Sequence, residues 1–350
     1  MEKIYFKNLE ELKNLSEKIP NTPMMAKAKI NVLIKLNMRY EKIMLNRKLK
    51  IHPYELVKSL INDAISDLIQ WSEISFIENP KTEQLKRKEM ALETSHHNLF
   101  QQLWVKFSEK DYEDRIHRYL HRLKINGLSK GWLKGFKCID LGCGHGNFAH
   151  ALIQEGAKYV YGIDFGEGNI KYAKSARKAL GVKPSQIEFK MESVYKINKP
   201  NNYFDFAIQN GVFHHLDDEN RAYKEAFRVL KPDGWFWIYS DGAGGISYDL
   251  WDSSVFILRN IPQEFTIYYL ESLNIETGKR YHLGDGLNAI YRHTTYEELS
   301  ARLAGIGFKN FRRLVGGFPT DFDHDVIAAD KYGKEKFGAG DIRILAQKKA

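Results

Sequence analysis

Cysteine is scarce in this chain. The two in 350 residues are Cys138 and Cys143. Two neighbouring thiols without further partners exclude a disulfide framework, and their spacing is not the CxxC of a structural zinc site. The expected compartment is therefore a reducing cytoplasm. Long apolar runs are also missing: no stretch approaches the ~18 residues of a membrane-crossing helix. The first residues, Met1-Glu2-Lys3-Ile4-Tyr5-Phe6, run into charge and lack the apolar core of a signal peptide. None of His96, His97, His214, His215 and His282 has the compact, carboxylate-rich spacing of a metal site, so no catalytic metal is expected. Internal repeats and low-complexity tracts are absent as well.

What is present is ordinary globular composition, 43% hydrophobic and 28% charged, enough for about two domains. The charge is uneven. Of a net +9, residues 1–130 carry +7, from 24 Lys and Arg against 17 Asp and Glu. Lys27, Lys29, Lys35, Arg39, Lys42, Arg47, Lys48 and Lys50 crowd one stretch with Glu41 alone against them. Ile30, Leu33, Ile34, Met38 and Ile43 recur there near helical spacing, so the stretch reads as a basic amphipathic helix. It would meet an acidic partner, an anionic lipid surface or RNA, or simply carry a solvated basic face.

Three zones follow along the chain. Residues 1–125 read as a helical N-terminal domain or lid, with Leu56, Leu60, Ile61, Ile65, Leu68 and Ile69 marking one buried helix face. Residues 126–350 read as an α/β domain. Its part from 135 to 242 alternates short apolar runs with helical segments, which implies a parallel sheet. An aromatic insertion at about 246–290 carries Tyr248, Trp251, Phe256, Phe265, Tyr268, Tyr269 and Tyr281. A last helix opens on a capping box, Thr295 with Glu298, and two strands close the chain.

The informative segment is Phe136-Lys137-Cys138-Ile139-Asp140-Leu141-Gly142-Cys143-Gly144-His145-Gly146-Asn147. A buried strand ends at Leu141, and Gly142, Gly144 and Gly146 turn the chain into a helix. Glycine serves sharp bends and close ligand approach, and a helix N-terminus offers free N–H groups. Such sites lie at the carboxyl ends of parallel strands. A dinucleotide loop would put its third glycine at position 147, where Asn147 stands. Asp140 beside the loop would repel a pyrophosphate and suits a ligand with a charged amino group. On its own the loop is a weak signal, because packing alone can demand glycine.

Further strands follow at Tyr159–Asp164, Ile187–Met191 and Phe204–Asn210. A helix from about Arg221 to Leu230, a turn at Lys231-Pro232-Asp233-Gly234 and a fifth strand from Trp235 to Tyr239 come next. Together with Val212-Phe213-His214-His215-Leu216, these segments resemble the class I S-adenosylmethionine-dependent methyltransferases over roughly residues 125–350. The resemblance implies a Rossmann-like α/β sheet with helices on both faces, and S-adenosylmethionine as cofactor, leaving as S-adenosylhomocysteine. It implies that Asp140, Gly142, Gly144 and Gly146 serve the methionyl part, Asp164 the ribose hydroxyls and Phe165 the adenine. Glu192 and Ser193 would stand beside the adenine amine; Glu192 is longer than the family's usual Asp. Gln209 and Asn210 would face the methionyl group and the substrate.

Methyl transfer asks mainly for positioning, and for removal of a proton from an oxygen or nitrogen acceptor. Histidine suits that task near neutral pH. The candidates are His214 and His215 after the fourth strand, with Tyr112 as a lid residue behind Trp104; His96, His97 and His282 stand further back. The alternative for His215 is a purely structural bond to backbone. The expected substrate is a small molecule, methylated on oxygen, such as a metabolite, sugar or natural-product hydroxyl; a homodimer is compatible with this. The rivals are an RNA methyltransferase using the basic helix, disfavoured by Asn210-Gly211-Val212-Phe213 in place of a Pro-Pro motif, and a non-catalytic partner subunit. An NAD dehydrogenase is disfavoured by the glycine spacing.

Overall fold

The computed structural model describes residues 6–74, 82–104, 109–129 and 131–350. The chain forms two compact units: Met1–Lys106 with Ala243–Ile290 and Ile327–Gly338, and Phe107–Gly242 with Tyr291–Val326 and Ala339–Ala350. In chain order the elements are helices α1 (Lys7–Lys18), α2 (Pro23–Leu45), α3 (Pro53–Glu73), α4 (Leu92–Trp104) and α5 (Glu109–Ile125). Then come β1 (Lys137–Leu141), α6 (Asn147–Gln154), β2 (Tyr159–Asp164), α7 (Glu167–Ala179), β3 (Ile187–Met191) and β4 (Phe204–Asn210). Next are α8 (Glu219–Val229), β5 (Leu230–Asp241), α9 (Ile246–Leu258), α10 (Gln263–Ser272), α11 (Thr277–Asn288) and α12 (Tyr296–Ile306). The chain closes with β6 (Phe308–Arg313), α13 (His324–Ala328), α14 (Gly333–Phe337) and β7 (Asp341–Lys348). Among the described residues no helix is long and apolar enough to cross a membrane.

The second unit is built on one seven-stranded sheet in the order β3-β2-β1-β4-β5-β7-β6. The first five strands are parallel, and β7 runs antiparallel between β5 and β6. Alternation along the strands loads both faces. Cys138 joins Phe148, Leu152, Ile170 and Trp237 on one side, while Ile139 and Leu141 join Phe213, Tyr223, Leu299 and Leu303 on the other. Side chains two apart share a face, so Asp140 follows Cys138 toward α6. The capping box forms as expected, with Thr295 accepting from Glu298 N–H and the Glu298 carboxylate accepting from Thr295 N–H, an arrangement of about 1 kcal/mol.

One segment differs from the sequence reading. The expected turn at Lys231-Pro232-Asp233-Gly234 lies inside β5, which runs on from Leu230 to Asp241. The register against β4 slips between Phe204 and Phe206, and Asp233 takes φ +60°. The turn residues are present but make a bulge rather than a strand end.

The first unit is helical. Its N-terminal helices gather the 246–290 insertion, which folds as α9, α10 and α11. Helix α2 starts on Thr22, whose side chain accepts from Met25 N–H, with Pro23 next, the favoured order at a helix start. It buries Met25, Ile30, Leu33 and Leu36. Lys29 is buried with them, and burial lowers its pKa to about 8.

Candidate active site

The glycine loop closes β1 onto β2. Gly142, Gly144 and Gly146 take φ of +77°, +51° and +85°, conformations costly for any residue with a Cβ. Packing demands glycine too: a Cβ at 142 would stand 2.6 Å from Val212 Cγ2, and one at 146 would meet the Phe189 ring, with Cε1 at 2.9 Å. Gly142 and Cys143 N–H both donate to Ile163 O at 2.8 Å. Gly144 N–H donates to the Asp164 carboxylate at 2.9 Å.

Asp164 therefore braces the loop from the end of β2. Its other oxygen accepts from Gly166 N–H at 2.8 Å and from the Asn169 amide at 3.0 Å. Its register partner on β3 is Met191. Met191 and Phe165 are exposed by 58% and 59%, so two apolar side chains stand beside the acid at the strand ends. Met191 was missed in the sequence reading; an apolar residue closing a strand one register from the acid was the available signal.

Asp140 is buried beneath the loop. Its carboxylate accepts a hydrogen bond from Ala149 N–H of α6, while Oδ2 has no hydrogen-bond partner. Burial, with Asp164 adding repulsion, raises its pKa to about 7. Burial also pushes the thiols of Cys138 and Cys143 up, which leaves them protonated and unreactive.

Tyr112 belongs to this loop. Its hydroxyl donates to His145 O at 2.9 Å and lies 2.9 Å from His150 Nδ1. His150 Nδ1 is also 2.8 Å from Gly146 O. A carbonyl only accepts, so Nδ1 carries the proton. Asn147 donates to Tyr112 O at 3.0 Å. Burial holds the Tyr112 phenol above its ordinary range, so it stays neutral. The Trp104 side chain and residues Phe107 and Ser108 of the same expected lid lie outside the described residues.

The four polar residues at the ends of β3 and β4 have partners within the fold. Glu192 accepts from Tyr161 OH at 2.6 Å and Asn198 N–H at 3.2 Å. Ser193 accepts from Tyr195 N–H at 3.2 Å. Gln209 donates to Tyr239 O at 2.9 Å and accepts from Val212 N–H at 3.1 Å, which fixes the chain leaving β4. Asn210 accepts from Trp237 Nε1 at 3.4 Å.

His214 and His215 sit on a single helical turn, Phe213–His215, and are both buried. Their Nε2 atoms are 3.1 Å apart. His214 Nδ1 accepts from Asp241 N–H at 3.3 Å, which assigns the proton of neutral His214 to Nε2. That proton points at His215 Nε2, with Asp241 Oδ2 3.6 Å from His214 Nε2. Tyr291 packs on both rings, with centroids 5.3 and 4.7 Å away. Asp241, at the end of β5, was not singled out in the sequence reading.

The other candidate histidines, His96, His97 and His282, lie in the helical unit. His96 stacks on Phe100 at 6.1 Å, with His97 beside it in α4. His282 packs against Trp251 at 5.2 Å, and burial, helped by Lys279, lowers its pKa to about 4.

Residues 139–238 match the family described as a methyltransferase domain. The mitochondrial ubiquinone biosynthesis O-methyltransferase of Bos taurus is 34% identical over 119 residues, 34% of this chain and 32% of that protein. The sterol 24-C-methyltransferase erg6 of Aspergillus fumigatus is 28% identical over 176 residues, 46% of this chain and 45% of that protein. The chain thus spans less than half the length of these two curated relatives. A solved structure of a putative S-adenosylmethionine-dependent methyltransferase from Methanococcus maripaludis overlays with a TM-score of 0.43 at 16% identity, covering 76% of this chain and 98% of that one. The resemblance read from the sequence motifs holds over residues 139–238.

Proposed function

We propose, with residues 139–238 standing as a methyltransferase domain, that the chain transfers a methyl group from S-adenosylmethionine to a hydroxyl of a small metabolite, sugar or natural product. One observation carries the reading. A triple glycine turn, held to Asp164 through Gly144 N–H, lies above a buried carboxylate whose Oδ2 has no partner.

The residues fit such a cofactor. Asp140 would face the amino group, whose positive charge favours the ionised carboxylate. Asp164 Oδ2 accepts Gly144 N–H, and a carboxylate oxygen has two lone-pair sites, so it keeps capacity for a ribose hydroxyl. Phe165 and Met191 offer apolar surface to the adenine. Bound, the sulfonium supplies a methyl carbon already activated for displacement. The chain's own part is to orient the two reactants, which is worth ~7–11 kcal/mol, and to accept the acceptor's proton. His215 would take that proton at Nε2 once the hydrogen bond from His214 is released. Two buried thiols suit a reducing cytoplasm.

The names of the relatives, an O-methyltransferase of ubiquinone biosynthesis and a sterol methyltransferase, support small acceptors. The test is acceptor-dependent release of S-adenosylhomocysteine across hydroxyl, amine and RNA acceptors. Hydroxyl compounds should stimulate it. Stimulation by RNA alone would replace this reading with the RNA one, and the absence of any release with every acceptor class would favour a non-catalytic subunit.

A further inference from the structure

The basic stretch of α2 is left over once the site is described, and the structure splits it. Lys29 is buried and donates to Ile19 O and Asn21 Oδ1 at 2.8 and 2.7 Å. Lys35 and Arg39 each stand 2.6 Å from an acid of α3, Asp67 and Asp63. Beyond them Lys42, Arg47, Lys48 and Lys50 are exposed, and none of the four cationic groups has an ion-pair or hydrogen-bond partner among the described residues. Glu41 is paired with Lys279, and no Asp or Glu occurs from Lys42 through Tyr54.

Apolar side chains stand among these cations. Met38, Leu45 and Ile51 are exposed by 41%, 48% and 56%. Met38, Lys42 and Leu45 share one face of α2, four and three residues apart. Met38 also borders a shallow crease with Met44, Trp251 and Leu283. The crease encloses about 20 Å³, room for one water; it extends the apolar surface and is no ligand cavity. The loop after α2 is anchored, because buried Lys336 donates to Asn46 O at 2.8 Å. Lys331 and Lys334, both exposed, flank it beside Tyr332, which packs edge-on against His52 at 5.0 Å.

We propose that this face of the helical unit docks on an anionic lipid surface. Lys42, Arg47, Lys48 and Lys50 lie against the headgroups, and Met38, Leu45 and Ile51 enter the acyl boundary. Cations interleaved with aliphatic groups match an interfacial surface. A single-stranded RNA surface would offer free rings for base stacking; residues 42–51 contain no aromatic side chain, and the neighbouring rings of His52 and Tyr332 pack on each other.

The test sediments the full chain with lipid vesicles. It should bind vesicles of phosphatidylcholine containing about 30 mole percent phosphatidylglycerol at least ~10-fold more tightly than pure phosphatidylcholine, and release at high salt. Joint Lys42→Gln, Arg47→Gln, Lys48→Gln and Lys50→Gln substitution should weaken binding at least ~100-fold. Joint Leu45→Ser and Ile51→Ser should weaken it at least ~10-fold. Both variants should keep the wild-type melting temperature and S-adenosylhomocysteine affinity, which separates this surface from the transferase reading. Equal binding to both vesicle types, or wild-type binding by the fourfold variant, overturns the proposal. RNA retention lost in the fourfold variant, without vesicle binding, overturns it in favour of a nucleic-acid surface.

Discussion

Replacing Asp164 by asparagine changes one atom and tests whether the loop is held as described. Asp164 accepts three hydrogen bonds, one from Gly144 N–H on Oδ2 and two on Oδ1 from Gly166 N–H and the Asn169 amide. An asparagine has one acceptor oxygen and one donor nitrogen. Whichever way its amide turns, an NH2 group confronts a backbone N–H, at Gly144 or at Gly166. A hydrogen bond to a charged group contributes about 1.5–3 kcal/mol. If the ligand needs the loop in its closed form, most of that is felt in binding: at 1.4 kcal/mol per tenfold, roughly 10- to 150-fold. The assay is calorimetric titration of Asp164→Asn with S-adenosylhomocysteine beside the wild type. Affinity within about threefold of wild type would refute the bracing role.

Other consequences follow from the same site. His215→Ala should lower turnover at least ~100-fold with little change in cofactor affinity, the size expected for a general base; near-normal turnover removes that role. Tyr112→Phe should lower stability by about 1–2 kcal/mol through two lost hydrogen bonds, read as a lower urea midpoint, with turnover nearly unchanged. A collapse of turnover at normal stability would return Tyr112 to the chemistry. Asp140 keeps its proton up to about pH 7 in the folded chain, whereas an unfolded aspartate loses it near ~3.9. Between these values the folded state holds the extra proton, so its stability falls as pH climbs from about 4 to about 7. Asp140→Asn should flatten that part of the urea-midpoint profile, and an unaltered slope would contradict the buried-carboxylate account.

Most of the sheet was legible because its strands are short apolar runs that end in informative residues. Ile163-Asp164 and Leu141-Gly142 mark strand ends by chemistry as well as by pattern. The antiparallel β7 was less legible, since direction in a sheet is set by long-range pairing that periodicity does not encode. The turn at 231–234 misled because a bulge uses the same Pro, Asp and Gly as a hairpin or strand end. In the site, residue types were visible but partners were not. Tyr112 reads in sequence as a lid phenol or as a packed aromatic, and only the fold brings its hydroxyl to His145 O and the glycine loop. Asp241 carried no motif; its place beside His214 depends on where β5 ends. The basic stretch looked uniform in sequence, yet Asp63 and Asp67 on the next helix pair with two of its eight cations, Arg39 and Lys35, and leave Lys42, Arg47, Lys48 and Lys50 exposed.

The central claim is that the crevice at residues 142–146 and Asp164 takes an adenosyl sulfonium. Titrating the full chain in parallel with S-adenosylhomocysteine and with NAD tests it most directly. Saturable one-to-one binding of the first and no heat from the second is the predicted result. Silence with S-adenosylhomocysteine, or saturable binding of NAD in its place, would contradict the account.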